Sequence, residues 1–326
     1  MDEASSKFVD QIAMQRLIND KLKRVHHAPD HSLATVDTSF RDFKNLSLLP
    51  VDVTETAREK YTEISFRSPI RTKYEENNWV KGRCFCAQES VGEVVFVHGL
   101  YEDNMDIYKF FISMLNEQGM NVHLMVLPYH YERTPKESAF SGEYFWSADV
   151  YRSALAFKQA VYDLCQFYSY VKAKSGRSVW IVGFSMGGGI GLSLVSLIPI
   201  DGIFVINPVC NITELMWHSA LFSTIKLDLE ANRWSFEDIK DKYSIYEPLN
   251  INDIKISKDK VVMAKGLYDQ INDPRNYDLF NQKWGLKHEL SYHAGHLNIL
   301  RVPKLAMDIT NFYFDRLPIL SKVENL

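Results

Sequence analysis

A serine between two glycines is the clearest candidate for a reactive group in this sequence. Ser185 is the centre of the motif GFSMG (residues 183–187), which follows the apolar stretch SVWIV and precedes the helix-like GGIGLSLVSLI. Side chains in place of Gly183 or Gly187 would clash with adjacent backbone on so tight a strand-to-helix turn. The hydroxyl is then exposed at a helix start, where developing negative charge is favoured. The pattern indicates a nucleophilic serine; the alternative is a glycine-rich turn with an incidental serine.

A second motif is the apolar strand VVFV followed by HGL (residues 98–100). Together with GFSMG it resembles the α/β-hydrolase superfamily, and the resemblance covers most of residues 61–326. In that superfamily the loop after this strand supplies a backbone N–H to the oxyanion hole, which implies Leu100 and Met186 as the donors here. We expect His98 to be structural, with its ring bonded to nearby backbone.

The superfamily order of serine, acid and histidine implies the other two members of a catalytic triad. Asp269 ends the turn GLYD after the strand KVVMAK, and His296 ends AGH after the strand KHELSY. The resemblance gives His296 the role of general base and Asp269 that of orienting its ring. The neighbouring Asp273 and His293 are alternatives. We expect Asp273 to cap or turn its loop, because Asp-Pro favours turns.

Candidate substrate contacts come from two further segments. The loop LPYHYERTP (residues 127–135) resembles a loop in one branch of the superfamily and follows a core strand, so it is expected to open on the catalytic face. His130 and Arg133 could contact the substrate there, or they could anchor the loop by hydrogen bonds. Tyr101, Trp217 and Phe222 are the remaining candidates.

Short apolar runs alternate with helical patterns from about Tyr61 onward, which predicts an α/β fold with a mostly parallel central sheet flanked by helices. The clearest helix begins near Ser147 and is expected to stop at Gly176. The predicted strands are Glu63–Ser68, Trp79–Ala87, Glu93–Val97, Asn121–Leu127, Ser178–Val182, Gly202–Ile206, Lys260–Lys265 and Lys287–Tyr292.

The predicted organisation is an N-terminal helical extension over residues 1–60 and an α/β-hydrolase domain over residues 61–326. A helix from about Ser6 to Val25 presents an apolar stripe, expected to pack on the main domain or on a partner subunit, or else to lie on a membrane surface. Residues 212–258 separate two strands by far more than a loop needs and are predicted to be a helical cap insertion.

The composition excludes several other classes of protein. The chain has 37 basic and 41 acidic residues and no basic cluster, so we expect no nucleic-acid partner. The four cysteines lack metal-ligand spacing, and we expect free buried thiols and neither metal nor cofactor. No signal peptide or membrane-spanning segment is recognised, which predicts a cytoplasmic protein. The sequence is compatible with a homo-oligomer.

These features predict a serine hydrolase that cleaves a carboxylic ester or thioester through an acyl-serine intermediate. The aromatic content of 13% and the insertion favour a covered, apolar pocket for a small acyl-ester substrate. A peptidase or amidase on the same fold is one alternative, because the triad does not separate esters from amides. A non-catalytic binding protein is the other, and the presence of all three triad candidates weighs against it.

Overall fold

In the computed structural model, which describes residues 2–315, nine strands form a single sheet. The strands are β1 (Thr54–Ala57), β2 (Thr62–Arg67), β3 (Trp79–Phe85), β4 (Gly92–Val97), β5 (Met120–Val126), β6 (Val179–Phe184), β7 (Gly202–Ile206), β8 (Val261–Gly266) and β9 (His288–Tyr292). Their order across the sheet is β1-β2-β3-β5-β4-β6-β7-β8-β9. Strands β1, β2, β3 and β5 pair antiparallel with one another in that order. Strands β5, β4, β6, β7, β8 and β9, again in sheet order, pair parallel.

The described part of the chain contains nine α-helices. They are α1 (Glu3–Asp20), α2 (Lys109–Glu117), α3 (Val150–Ser175), α4 (Met186–Leu194), α5 (Ile212–His218), α6 (Ser223–Ala231), α7 (Phe236–Tyr243), α8 (Pro274–Trp284) and α9 (Pro303–Asp315). Helix α3 ends at Ser175, and Gly176 caps it, as predicted, with a left-handed φ of 63° that favours glycine.

Alternate side chains of the central strands enter two hydrophobic clusters, one on each face of the sheet. In β4, Val95 and Val97 belong to the cluster that includes α3 and α4, whereas Val94 and Phe96 belong to the cluster that includes α2 and α9. The sheet is therefore covered by helices on both sides. Because β4, β6, β8 and β9 run parallel, the loops that follow them lie at the same edge, and this edge carries the candidate site.

The predicted strands agree with the observed ones to within two residues at each end, and β1 was missed. Its sequence, TETA, is exposed at every position and has no apolar alternation, so no hydrophobic pattern marks it. Since β1 pairs with β2, the sheet begins before residue 61, where we placed the start of the hydrolase domain. The division into residues 1–60 and 61–326 stays a prediction, and residues 316–326 lie outside the described part.

The insertion at residues 212–258 is helical, as predicted, and comprises α5, α6 and α7 with short 3₁₀ turns. The N-terminal segment is also helical at its start, and part of its predicted apolar stripe packs on the domain as expected: Leu22 is buried, and Met14, Leu17 and Ile18 pack against the core. The predicted stripe also includes Phe8, and there it is wrong: Phe8 is 61% exposed, whereas Ser6 and Asp10 are buried in α1.

The loop after β5 is anchored by two fully buried side chains, His130 and Arg133. Arg133 Nη2 lies 2.7 Å from Asp163 Oδ2 on α3, and its guanidinium also donates to the carbonyl oxygens of Val126 and Asn77. Arg133 was predicted either to contact the substrate or to anchor the loop. These contacts show that it anchors the loop. Burial raises the pKa of Asp163, so this carboxylate depends on its cationic partner.

Replacing Arg133 by leucine should lower the free energy of unfolding by about 3–5 kcal/mol, because it leaves Asp163 buried without its partner. Urea denaturation followed by circular dichroism measures this change. The control is Arg41→Leu at an exposed position, which we expect to change stability by less than about 0.5 kcal/mol. Equal effects of the two substitutions would refute the anchoring role.

Candidate active site

Ser185 occupies the turn between β6 and α4 with φ of 53° and ψ of −117°, a sparsely populated conformation for a residue with a side chain. A Cβ atom at Gly183 would lie 2.6 Å from the carbonyl oxygen of Gly187, and one at Gly187 would lie 2.2 Å from that of Val97. Both distances are far below van der Waals contact. The steric need for glycine on either side of the serine is therefore confirmed.

The structure brings the three predicted triad residues into one chain of hydrogen bonds. Ser185 Oγ lies 2.9 Å from His296 Nε2, and His296 Nδ1 lies 2.8 Å from Asp269 Oδ2. Ser185 follows β6, Asp269 lies in the loop after β8, and His296 in the loop after β9. All three are buried. This arrangement can transfer a proton from the serine hydroxyl to the imidazole.

Asp269 is held by donors on both carboxylate oxygens. Oδ1 accepts the backbone N–H groups of Ile271 and Asn272 at 2.8 and 2.9 Å, and Oδ2 accepts the Tyr277 hydroxyl at 2.7 Å. Tyr277 lies on α8 and was not among the predicted site residues, because nothing in its sequence surroundings marks it. These donors fix the carboxylate that orients the His296 ring.

The electrostatic surroundings of His296 make it a stronger base. Burial lowers the pKa of the imidazole, but the negative charge and hydrogen bond of Asp269 outweigh burial, with further contributions from Asp10 and Glu102. The net result is a raised pKa. Since only the neutral imidazole accepts a proton, activity that depends on it should fall as the pH falls through this raised value.

Two backbone N–H groups beside Ser185 are free to bind an oxyanion. Neither the N–H of Leu100 nor that of Met186 donates a hydrogen bond to any group within residues 2–315. Both residues line the cavity that contains Ser185. The resemblance to α/β-hydrolases implied these two donors. Their role in binding an oxyanion stays a prediction.

Glu102 supports the loop that carries Leu100, and sequence reasoning missed it. The N–H of Gly99 donates to the Tyr108 hydroxyl at 2.8 Å, and that hydroxyl donates in turn to Glu102 Oε1. The Tyr131 hydroxyl donates to Glu102 Oε2 at 3.0 Å. Burial raises the pKa of Glu102 to about 7. The carboxyl group lines the cavity and adds a second titrating group near neutral pH.

His98 lies behind the same loop and has the structural role that we expected. Its Nδ1 lies 2.7 Å from the Gly99 carbonyl oxygen, and its Nε2 accepts the N–H of Leu127 at 3.0 Å. Burial, together with the nearby His130, lowers the pKa of His98 well below its ordinary value. The ring is therefore neutral, and it connects the loops after β4 and β5.

A cavity of about 600 Å³ opens above Ser185 and His296. Its walls are mostly apolar and come mainly from three segments that are distant in sequence: helix α1, the loop after β4, and the helical insertion. Met186 at the start of α4 also contributes. The non-aromatic apolar side chains that line the cavity include Ile12, Leu17, Leu100, Met186, Leu215 and Leu221.

Of the five predicted substrate contacts, Tyr101 and Phe222 line this cavity. The other three do not, which corrects the prediction. Arg133 is buried against Asp163, as described above. His130 Nε2 accepts the N–H of Tyr101 at 3.1 Å, so it supports a residue of the cavity wall from behind. Trp217 packs on Phe236 within the insertion and is absent from the cavity lining.

The two alternative triad candidates lie away from the hydrogen-bond chain. His293 is exposed and its Nδ1 lies 2.8 Å from the Tyr268 hydroxyl. Asp273 caps the start of α8, where its side chain accepts the N–H of Arg275, as expected for this Asp-Pro turn. The geometry therefore favours Asp269 and His296.

The described residues contain no group of three or more His, Cys, Asp or Glu side chains that could hold a metal ion. None of the described helices is long and apolar enough to cross a bilayer.

The cysteines are free, but only Cys84, Cys165 and Cys210 are buried. Cys86 is exposed because it lies just beyond the end of β3, which corrects the expectation that all four are buried.

Neither a protein-family model nor a curated protein matches the chain. Among solved structures, an acetyl xylan esterase from Paenibacillus sp. R4 is similar with a TM-score of 0.62 at 15% identity, over 90% of this chain and 98% of its own. Acetyl xylan esterase 1 from Thermoanaerobacterium sp. JW/SL YS485 is similar with a TM-score of 0.60 at 14% identity, over 90% and 98%. A serine hydrolase without a lid from Xanthomonas campestris has a TM-score of 0.50 at 14% identity, over 81% and 99%. At these identities the similarity establishes the fold, and the chain therefore has the α/β-hydrolase fold.

Proposed function

We propose that this chain is a serine hydrolase that cleaves a carboxylic ester or thioester through an acyl-Ser185 intermediate. The observation that carries the proposal is the continuous hydrogen-bond chain from Ser185 through His296 to Asp269 at the base of an apolar cavity. The structurally similar acetyl xylan esterases bear names that are consistent with ester cleavage.

In the first half of the reaction, Ser185 Oγ attacks the acyl carbonyl carbon while His296 Nε2 takes the hydroxyl proton. The Nδ1–H of His296 donates to Asp269, which stabilises the imidazolium that forms. The N–H groups of Leu100 and Met186 would receive the oxyanion, and such a donor is typically worth about 2.7–4 kcal/mol of transition-state stabilisation. The carbonyl re-forms as the ester bond breaks, and His296 returns the proton to the leaving alcohol or thiol.

In the second half, water attacks the acyl-serine with His296 again acting as the base. The tetrahedral species collapses, Ser185 regains its proton, and a carboxylic acid leaves. No step requires a metal or a cofactor, because the imidazole and the backbone donors carry the proton and the charge.

The cavity walls are mostly apolar, which supports a substrate that binds there through an apolar acyl group. Burial of apolar surface contributes about 25 cal/mol per Å², so the acyl chain rather than the leaving group should provide most of the affinity. The small-molecule acyl-ester substrate, the cytoplasmic location and any homo-oligomer stay predictions.

Replacing Ser185 by alanine should lower kcat by about 10⁶-fold, because the nucleophile is removed. The measurement is hydrolysis of p-nitrophenyl esters from acetate to palmitate, with covalent labelling by a fluorophosphonate probe in parallel. The melting temperature should stay close to that of the wild type, which shows that the variant is folded. A wild-type protein that neither hydrolyses an ester nor is labelled at Ser185 would favour the non-catalytic alternative.

Alanine substitution of His296 and of the nearby His293 should have very different effects on kcat. His296→Ala should reduce kcat about as severely as loss of the nucleophile, because the base is lost. His293→Ala is the matched control and should leave kcat unchanged, since its ring is exposed and bonded to Tyr268. The reverse result in the same ester assay would show that the base is wrongly assigned.

Filling the cavity from α1 should shorten the preferred acyl chain. Ala13 lines the cavity, so Ala13→Trp should move the optimum of the p-nitrophenyl ester series toward shorter acids. Ala4→Trp is the matched control, on the same helix but exposed and outside the lining. If both variants keep the wild-type chain-length profile, the acyl group binds elsewhere.

A further inference from the structure

Helix α1 is placed against the rest of the protein in an unusual way. Its two buried residues are polar, Ser6 and Asp10, whereas Phe8 and Val9 are 61% and 39% exposed and lie at the cavity. Later in the helix, Met14, Leu17 and Ile18 pack partly buried against the core. At the N-terminal end, by contrast, the buried contacts are polar, and the apolar side chains of Phe8 and Val9 face the cavity.

The carboxylate of Asp10 makes those contacts, and all of them are with the loops of the candidate triad. Asp10 Oδ2 accepts the backbone N–H of His296 at 2.7 Å and that of Gln270 at 3.2 Å, and Oδ1 accepts the N–H of Leu297 at 3.1 Å. Gln270 directly follows Asp269. A single side chain from α1 thus connects the loop of the base with the loop of the acid.

The histidine loop leaves space for the Asp10 carboxylate because residue 295 is a glycine. A Cβ atom at Gly295 would lie 2.6 Å from Asp10 Oδ2 and 3.0 Å from the Ser6 carbonyl oxygen, so only glycine lets α1 approach so closely. The Asn298 side-chain amide also donates to Ser6 Oγ at 3.1 Å, while its oxygen accepts the Gly295 N–H at 2.6 Å.

The other end of the helical segment is fixed to the loop that carries Leu100. Lys21 Nζ donates to the Tyr101 carbonyl oxygen at 2.8 Å and lies 2.7 Å from Asp103 Oδ2. The segment therefore crosses the mouth of the cavity and is attached at both sides, to the histidine loop at one end and to the predicted oxyanion loop at the other.

We infer that Asp10 is a positioning residue for His296, supplied by an N-terminal helix that forms part of the active site. This inference rests on the proposed role of His296 as the base. Asp10 would act through the backbone: it holds the His296 N–H and its neighbours so that Nε2 stays within hydrogen-bond distance of Ser185. Misplacing a catalytic group by about 1 Å can cost about 10²-fold in rate.

Asp10 also acts on His296 through its charge. Burial raises the pKa of Asp10 overall, while the N–H groups of His296 and Leu297 and the charge of His296 act in the opposite direction and favour the ionised carboxylate. The charged or titratable groups that face His296 are Asp269, Asp10 and Glu102, and each raises the pKa of the imidazole. Without the charge of Asp10 that pKa is lower, so the acidic limb of the pH–rate profile should move to lower pH.

The test is Asp10→Asn in the full chain. Asparagine has the same size, but its amide nitrogen would face an N–H donor and its charge is zero. We expect kcat for a p-nitrophenyl ester to fall roughly 10- to 100-fold, KM to stay near the wild-type value, and the acidic limb of kcat/KM to shift to lower pH. Glu102 is present in both proteins, so the shift isolates Asp10.

Glu3→Gln is the matched control, since it also replaces a carboxylate by an amide on α1 but pairs only with Lys7 at the surface. It should retain the wild-type kcat and pH profile. Wild-type kcat and an unmoved acidic limb in Asp10→Asn would overturn the inference. If that variant does not fold, Ser6→Ala decides: a lower kcat at unchanged KM supports the positioning role of the helix, and a wild-type kcat overturns it.

These outcomes are distinct from failure of the proposed function. If the wild-type protein hydrolyses esters and Ser185→Ala does not, the function stands whatever the Asp10 variant does. If the wild-type protein is not labelled at Ser185 by a fluorophosphonate, the proposed function fails, and the inference about Asp10 fails with it.

Discussion

The contact between the turn at Ser185 and the end of β4 constrains the whole site. Gly187 lies so close to the Val97 carbonyl oxygen that no side chain fits between them. The close approach brings the start of α4, with the N–H of Met186, beside the loop that carries Leu100. The strain at Ser185, whose φ is 53°, is maintained because the sheet holds β6, which ends just before the turn, in register with the neighbouring β4. The position of the serine in turn determines where His296 must lie.

The remaining parts of the site come from segments that are far apart in sequence, and buried polar contacts fix their positions relative to one another. Asp269 is oriented by backbone N–H groups and Tyr277, the loop of Leu100 by Tyr108 and Glu102, and the histidine loop by Asp10. Buried polar groups are costly unless each has its partner, so these networks specify one arrangement. Apolar side chains of α1 and of the insertion are then free to form the cavity.

Much of this arrangement could be predicted from the sequence because it depends on local patterns. Short apolar runs marked eight of the nine strands within residues 2–315, and the glycines around Ser185 marked the turn. The order of Asp269 and His296 followed from the resemblance to α/β-hydrolases. The contribution of Asp10 could not be predicted, because its partner is 286 residues away and a charged side chain in a helix is normally expected to face solvent. Arg133 was ambiguous for the same reason: a charged residue in a loop gives no sign of a buried partner such as Asp163.

The most direct test of the central claim, acyl transfer through Ser185, is to trap the intermediate. The full chain would be mixed with a p-nitrophenyl ester, whose activated leaving group makes acylation fast relative to deacylation, and quenched in acid within the first turnover. Peptide mass spectrometry would then locate the acyl group. We expect a mass increase equal to the acyl group on the peptide that contains Ser185, and a matching burst of p-nitrophenolate. Turnover with an unmodified Ser185 peptide, or with the acyl group on another residue, would contradict the account.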